Sequence, residues 1–415
     1  MIQFAVLGYG TVGSGIVEVF FRNRESLEKK AGVPLGLKYI LDVREFPDSP
    51  YKDLFVKDFD TILNDASVGV VAEVIGGVEP ALTFTKACLE RGKSVVTSNK
   101  ELVAQHGAEL LAIARANNVN YLFEASVGGG IPIIRPLHSC LAANRIEEVI
   151  GILNGTTNFI LTKMFREGMS FESALALAQR LGYAERDPAA DVEGHDACRK
   201  ICILASLAFG EHVYPHDVSA EGITKITSED VAYAASCGCV IKLIGAARRG
   251  EGGKRMTAYV APAFINRETQ LGTIDDVFNG ILVRGDATGD VVFYGKGAGK
   301  LPTASAVVSD MIACAKADGS SASMSWKPSQ GGNVAPQGDH VTAMYLRCRA
   351  FETNALEEAV KIFGKVKALS RPDKPTNEAA FITPALTERE IDDVCGKLAA
   401  AGVDILGKIR VLADQ

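Results

Sequence analysis

The stretch "IQFAVLGYGTVGSGIVEVFF", residues 2–21, constrains this chain more than any other. An apolar run of strand length enters a glycine turn, and apolar residues at helical spacing follow it. The alternation then repeats. "GLKYILDV" reads as a second strand, "TILNDASVGVVAEVIGG" as helix end, turn and third strand, and "PALTFTKACLERG" as a helix closed by Gly92. "KSVVTSN", "ELVAQHGAELLAIARANN" and "NYLFEAS" continue it. Strands alternating with helices of about ten residues or more predict an α/β chain with a Rossmann-type, doubly wound parallel sheet through residue 130.

Within that opening, Gly8-Tyr9-Gly10-Thr11-Val12-Gly13 matches GxGxxG directly after a strand and at the start of a helix. Glycine permits the tight turn and a close backbone approach to a pyrophosphate, and the helix N-terminus offers amides and partial positive charge. The expectation is dinucleotide binding, against the blander reading of an ordinary strand-to-helix turn. Cofactor choice is less defined. Asp42 stands where an acid would hold a ribose 2′-hydroxyl, and Arg44, two residues on, would suit a 2′-phosphate. The pattern leans slightly to NADP and leaves NAD open.

At 415 residues the chain is long enough for two or three domains. A net charge of −6 without a long basic run gives no footprint for nucleic acid, so the expected partner is a small molecule. No apolar run approaches the ~18 residues of a membrane span, and "MIQFAVLGYG" carries no leader pattern. A cytoplasmic protein with no membrane partner is expected. The nine cysteines are scattered and form no CxxC pair, which suits reduced thiols rather than a disulfide framework or a zinc site.

From "GGGIPIIRPLHSCL" the rhythm changes. "IEEVIGILNG" reads as a strand and "TTNFILTKMFREG" as a helix. Asn154-Gly155 imitates a hairpin turn, but Phe159, Ile160, Lys163, Met164 and Phe165 keep a helical period, with Thr156 or Thr157 as the expected cap. "FESALALAQRLGY" and "HDACRKICILASLAFG" read as helices, and residues 255–295 as antiparallel sheet. The expected division is a dinucleotide-binding domain over 1–130 with 300–320 returning to it, and an α+β catalytic and dimerisation domain over 131–299. A linker over 321–340 and a ferredoxin-like βαββαβ domain over 341–415 complete it.

Several positions carry chemistry on this scaffold. Lys100 in "SVVTSNKELV" lies just beyond a strand, where open sheets collect ligands, though a surface lysine starting a helix reads the same. In "YLFEASVGGGIPII", Glu124 stands beside three glycines that suit either an ion or a hinge. The densest stretch is "ERDPAADVEGHDACRK", residues 185–200. Only His195 and Cys198 have spacing for zinc, which is too few. Asp196 and Lys200 are i, i+4 neighbours, a spacing that fits a modest exposed pair or a lysine held near a developing alkoxide.

Together, "GYGTVGSG", "VTSNKELV", "EASVGGGIPI", "GILNGTTNFIL" and "LGYAERDPAADVEGHDACRK" resemble homoserine dehydrogenase, in this order and over most of the first 320 residues. The resemblance implies reversible hydride transfer between NAD(P)H and L-aspartate 4-semialdehyde, giving L-homoserine for threonine, methionine and isoleucine synthesis. It implies Lys200 as proton donor, with Lys100 beside cofactor and substrate. Glu185 and Asp196 would hold substrate, with Asp191 in a less defined acidic role. Gly8, Gly10, Thr11, Val12, Gly13, Arg44, Lys100 and Gly182 would contact the cofactor. Glu124, with the carbonyls of Val127, Gly129 and Ile131, matches a structural sodium site. A homodimer or larger homo-oligomer and a C-terminal ACT-like domain are also implied. "FETNALEE" has Asn354-Ala355 where many amino-acid-binding members carry Pro-Gly, so threonine feedback is not expected. Two other readings remain: a non-catalytic sensor of dinucleotide and amino acid, and a semialdehyde dehydrogenase using Cys140 or Cys198 as nucleophile.

Overall fold

The computed structural model describes residues 1–250, 252, 255–316 and 324–412. Parts of four expected segments lie outside the described residues: 251, 253 and 254 of the catalytic domain, 317–320 of the returning segment, 321–323 of the linker and 413–415 of the last domain. The chain divides into two compact units, one made of 1–145, 202–215 and 295–330, the other of 146–201, 216–294 and 331–415.

The first unit opens with β1 (Ile2–Leu7), α1 (Thr11–Ala31), β2 (Leu35–Leu41), β3 (Phe55–Val56), α2 (Phe59–Leu63) and β4 (Val68–Glu73). It continues through α3 (Ala81–Glu90), β5 (Ser94–Thr97), α4 (Lys100–Ala116) and β6 (Tyr121–Leu122). All six strands pair in parallel in the order β3-β2-β1-β4-β5-β6. This is the expected Rossmann-type sheet, whose strand order reverses between β1 and β4. Phe4, Ala5, Val6 and Leu7 are fully buried, as a central strand covered on both faces requires.

The second unit contributes β7 (Ile146–Ile152), α5 (Gly155–Glu167), α6 (Phe171–Arg180), α7 (Ala189–Val192), the first part of α8 (His195–Phe209), through Ile201, then β8 (Ser219–Ala220) and α9 (Ser228–Ser236). Four long strands follow, β9 (Cys239–Arg248), β10 (Thr257–Asn266), β11 (Phe278–Gly285) and β12 (Gly289–Lys296), before α10 (Lys300–Lys316) returns to the first unit. The last stretch runs β13 (Val341–Ala350), α11 (Ala355–Phe363), β14 (Lys367–Leu369), β15 (Glu378–Ile382), β16 (Leu386–Thr387), α12 (Glu388–Ala400) and β17 (Val403–Leu412). The βαββαβ pattern is present, with the two-residue β16 added.

This C-terminal module is not a free appendage. One sheet runs β12-β11-β7-β9-β10-β17-β13-β15-β14. The seam is parallel, with Ala263, Phe264 and Ile265 of β10 facing Arg410, Val411 and Leu412 of β17. Buried charges reinforce it. Arg347 on β13 and the Tyr345 hydroxyl both donate to Asp230 on α9, at 2.9 and 3.0 Å. The Tyr233 hydroxyl donates to Glu378 at 2.8 Å, and Arg410 reaches Glu388 and Glu221 at 2.8 and 2.7 Å. Removing one partner of such a buried pair typically costs ~3–5 kcal/mol, because the other charge is left uncompensated.

Candidate functional site

In the first unit, the turn between β1 and α1 has the geometry that GxGxxG requires. Gly8 has φ +99°, and a Cβ on Gly13 would lie 1.9 Å from the Gly8 carbonyl oxygen. Any side chain at either position breaks the turn. A Cβ on Gly10 would meet nothing within 4 Å, so space remains beside the N-terminus of α1, which Thr11 and Val12 open.

Asp42, just past β2, spends its carboxylate inside the protein. One oxygen accepts from the Tyr9 N–H at 2.8 Å, and Arg44 donates to both oxygens through Nε and Nη2 at 3.0 and 2.9 Å. These donors hold the Asp42 carboxyl far below the ordinary carboxylate range, Arg44 foremost. The acid thus anchors the glycine turn and orients a half-exposed guanidinium. Lys57 donates to the Val43 carbonyl at 3.0 Å and also to that of Arg44, so a second cation gathers there. Sequence reading missed Lys57 because thirteen residues separate it from Arg44.

Lys100 is the first residue of α4, half-buried, directly after β5 and its short exit turn. That turn is held by a carboxylate the sequence did not announce. Glu73, fully buried at the end of β4, accepts from Thr97 Oγ1 at 2.7 Å and from the Ile75 N–H at 2.8 Å. Thr97 Oγ1 accepts from the Asn99 N–H at 2.9 Å, and the Asn99 side chain caps α4 by accepting from the Leu102 N–H at 3.1 Å while donating to the Gly77 carbonyl. Burial raises the Glu73 carboxyl above its ordinary range against these bonds. Glu73 read as the end of an apolar strand, which hid its role.

Glu124 is buried, but its carboxylate is occupied. It accepts from the N–H groups of Ile133, Ile134 and Arg135 at 2.6, 2.8 and 2.9 Å. Both carboxylate oxygens thus accept from the main chain of the segment that follows. Among the described residues no loop N–H donates to the carbonyls of Val127, Gly129 or Ile131. Gly129 has φ +55° and packs so closely that a Cβ would lie 2.3 Å from the Gly297 carbonyl oxygen.

The second unit assembles the acids and the lysine of the densest stretch. Gly194, at φ +84°, turns the chain into α8, which puts Asp196 and Lys200 on one face. Lys200 Nζ donates to Asp196 Oδ2 at 2.7 Å and to the Leu153 carbonyl at 2.8 Å. The two side chains are only 8% and 4% exposed, which removes the reading of a solvated surface pair.

Asn154 organises the cluster. Its amide donates to Asp191 Oδ1 at 2.7 Å and to Asp196 Oδ2 at 2.9 Å, while its oxygen accepts from the Thr157 N–H at 2.9 Å and so caps α5. The cap was expected from Thr156 or Thr157, and the structure moves it to Asn154. Because α5 starts at Gly155, Asn154 occupies the cap position, from which its side-chain oxygen reaches the third amide of the helix. Thr156 instead donates to the Tyr183 carbonyl at 2.8 Å, tying α5 to the loop that carries Gly182 and Glu185. Gly182 follows α6 at φ +76°, and Glu185 lies exposed with its carbonyl accepting from Gln179 at 3.1 Å. Glu185 is thus joined to the cluster through the loop backbone. Cys198 is buried within α8 and Cys140 is exposed. Among the described residues no three His, Cys, Asp or Glu side chains are placed to hold a metal.

Two family models match the chain: the homoserine dehydrogenase NAD-binding domain over residues 8–124, and homoserine dehydrogenase over 132–312. The chain is 44% identical over 316 residues to a homoserine dehydrogenase from Synechocystis sp., spanning 75% of this chain and 72% of that one. Against a homoserine dehydrogenase from Bacillus subtilis it is 44% identical over 319 residues, 76% and 73% of the two chains. The structure superimposes on a homoserine dehydrogenase from Thiobacillus denitrificans with a TM-score of 0.90 at 36% identity, over 99% and 98% of the chains. A hyperthermophilic archaeal homoserine dehydrogenase mutant in complex with NADPH matches with a TM-score of 0.64 at 27% identity, over 75% of this chain and 97% of that one.

Proposed function

Because the chain belongs to the homoserine dehydrogenase family, we propose that it interconverts L-aspartate 4-semialdehyde and L-homoserine, with Lys200 as the residue that moves the proton. The observation that carries this reading is the hydrogen-bonded set of Lys200, Asp196, Asn154 and Asp191, the first three of them buried. A nicotinamide dinucleotide held along Gly8–Gly13 would supply or accept the hydride.

In the reductive direction negative charge grows on the aldehyde oxygen. A buried ammonium stabilises that charge more than a solvated one, and can pass it a proton. Asp196 aims Lys200, and the Leu153 carbonyl fixes a second N–H direction. Asn154 holds Asp191 and Asp196 together through one amide, so neither acid swings away from the lysine. Asp196 and Asp191 present the negative field that an α-ammonium group seeks, and Glu185 adds a carboxylate on the tethered loop. Lys100, the first residue of α4, lies just past β5 at the strand edge where such sheets collect ligands.

Arg44 with Lys57 supports NADP over NAD, since the Asp42 carboxylate is already engaged by Arg44 and Lys57 adds a second cation at the same turn. Residues 1–130 with the returning helix act as the dinucleotide-binding part and 131–299 as the catalytic part. Residues 341–415 read as an ACT-like module, and a homodimer or larger homo-oligomer is the assembly this reading carries. Sodium at the main-chain carbonyls of Val127, Gly129 and Ile131 would order that segment.

The test is an initial-rate assay of homoserine oxidation with NAD and NADP in parallel. The wild type is expected to turn over homoserine with the lower KM for NADP, and Lys200→Ala to lose at least ~100-fold in kcat with dinucleotide binding retained. Turnover that survives Lys200→Ala would remove the lysine from its role.

A further inference from the structure

Two thiols outside the candidate site stand together in the second unit. Cys237 closes α9 and Cys239 opens β9, with Gly238 between them. Cys237 has φ −107° and ψ 14°, and Gly238 has φ +78°, so the chain turns here rather than extends. A turn brings Cα atoms two residues apart into the roughly 4.4–6.8 Å window that a disulfide spans. Each thiol points back onto the main chain of this turn. Cys237 Sγ lies 3.3 Å from the Ala234 carbonyl oxygen and Cys239 Sγ 3.8 Å from that of Cys237. Both are partly exposed, whereas Cys88, Cys198, Cys202, Cys314 and Cys348 are buried.

We propose that Cys237-Gly238-Cys239 is a dithiol modification site, which a hydroperoxide oxidises to an intrachain disulfide. The neighbouring Cys239 thiol and the Lys367 ammonium bring the Cys237 thiol down to about 7 against its burial, while Cys237 in turn pushes Cys239 up. Cys237 is therefore the attacking thiolate and Cys239 the resolving thiol. In the first step Cys237 sulfur bonds to the terminal peroxide oxygen, the O–O bond breaks, and the departing alkoxide or hydroxide takes a proton from water. In the second, Cys239 sulfur attacks Cys237 sulfur, the S–O bond breaks, and the hydroxide leaves with the Cys239 proton as water. Two thiols lose two electrons and the peroxide gains them.

The site lies at the end of the helix that carries Asp230 and Tyr233 into the seam with the C-terminal module. It is separate from the proposed homoserine chemistry, so failure of either leaves the other standing.

Trypsin isolates the pair in one peptide, residues 226–242, which holds no other cysteine. The folded protein is treated with increasing hydrogen peroxide, alkylated and digested. The expected result is that this peptide escapes alkylation, is lighter by two hydrogens and is restored by dithiothreitol, at lower peroxide than modifies the exposed Cys140. Cys239→Ser should leave a sulfenic acid on Cys237 that dimedone traps, and Cys237→Ser should leave Cys239 unmodified at the same dose. The proposal is overturned if the wild-type peptide stays doubly alkylated while Cys140 reacts, or if Cys237 runs on to sulfinic acid without closing the ring.

Discussion

Asp310 and Glu124 bring two buried acids into contact, the Glu124 N–H donating to Asp310 Oδ2 at 2.9 Å. Burial pushes the Asp310 carboxyl up to about 7, with Arg135 opposing and Glu124 adding to the rise. The Arg135 guanidinium stands 3.0 Å from Oδ1 but donates to Ser309 Oγ, so burial wins over the ion pair. In the unfolded chain this group ionises near 3.8, so the folded state binds the extra proton between there and about 7. Stability from this group is therefore lost as pH rises through that window. Asp310→Asn keeps an acceptor for Glu124 and should gain ~1–3 kcal/mol on the wild type above neutrality, with the gap closing toward pH 4. Urea unfolding at both pH values checks it, and a gap that grows on acidification would reverse the sign. At this scale the sequence was partly legible. Lys200 and Asp196 stood out by spacing, but Asn154 wore the disguise of a hairpin turn. Its two bonds to acids 37 and 42 residues away are not a local pattern.

Among elements, the exit from β5 into α4 depends on β4. Glu73 fixes Thr97, Thr97 fixes Asn99, and Asn99 caps the helix whose first residue is Lys100. Glu73→Gln keeps the size but can no longer accept every donor, so the turn loosens without emptying the core. The expected outcome is a fall in kcat of about tenfold with a Tm change of only a few degrees. A Tm collapse with unchanged kcat per folded molecule would make Glu73 a stability residue alone. Strand and helix succession was readable here because periodicity is local. The coupling between strand ends was not, because it passes through one carboxylate at the end of an apolar run. Asn354 shows the same limit at α11, where it caps the helix by accepting from Leu356 and Glu357 N–H. Its position marked a departure from a family pattern, and the structure supplies what it does instead.

For the molecule, the decisive feature is the sheet shared by β10 and β17. The sequence predicted a βαββαβ domain after a linker, which invites the picture of a detachable module. Three register pairs between residues 263–265 and 410–412 contradict that picture, and no local signal encodes a parallel pairing so distant along the chain. Ending the chain at residue 340 removes β17, uncovers the β10 edge and leaves Asp230 without Arg347. The truncated chain should aggregate and unfold at lower temperature, as gel filtration and calorimetry would register. A soluble, equally stable fragment would show the seam to be dispensable. The seam also sets an order of events during synthesis. Every other strand on the path precedes Val403–Leu412 in the chain. While the polypeptide is still emerging from the ribosome, residues 263–265 of β10 therefore lack the partner that the finished sheet gives them, and β10 and β13 join one sheet only when the strand between them arrives.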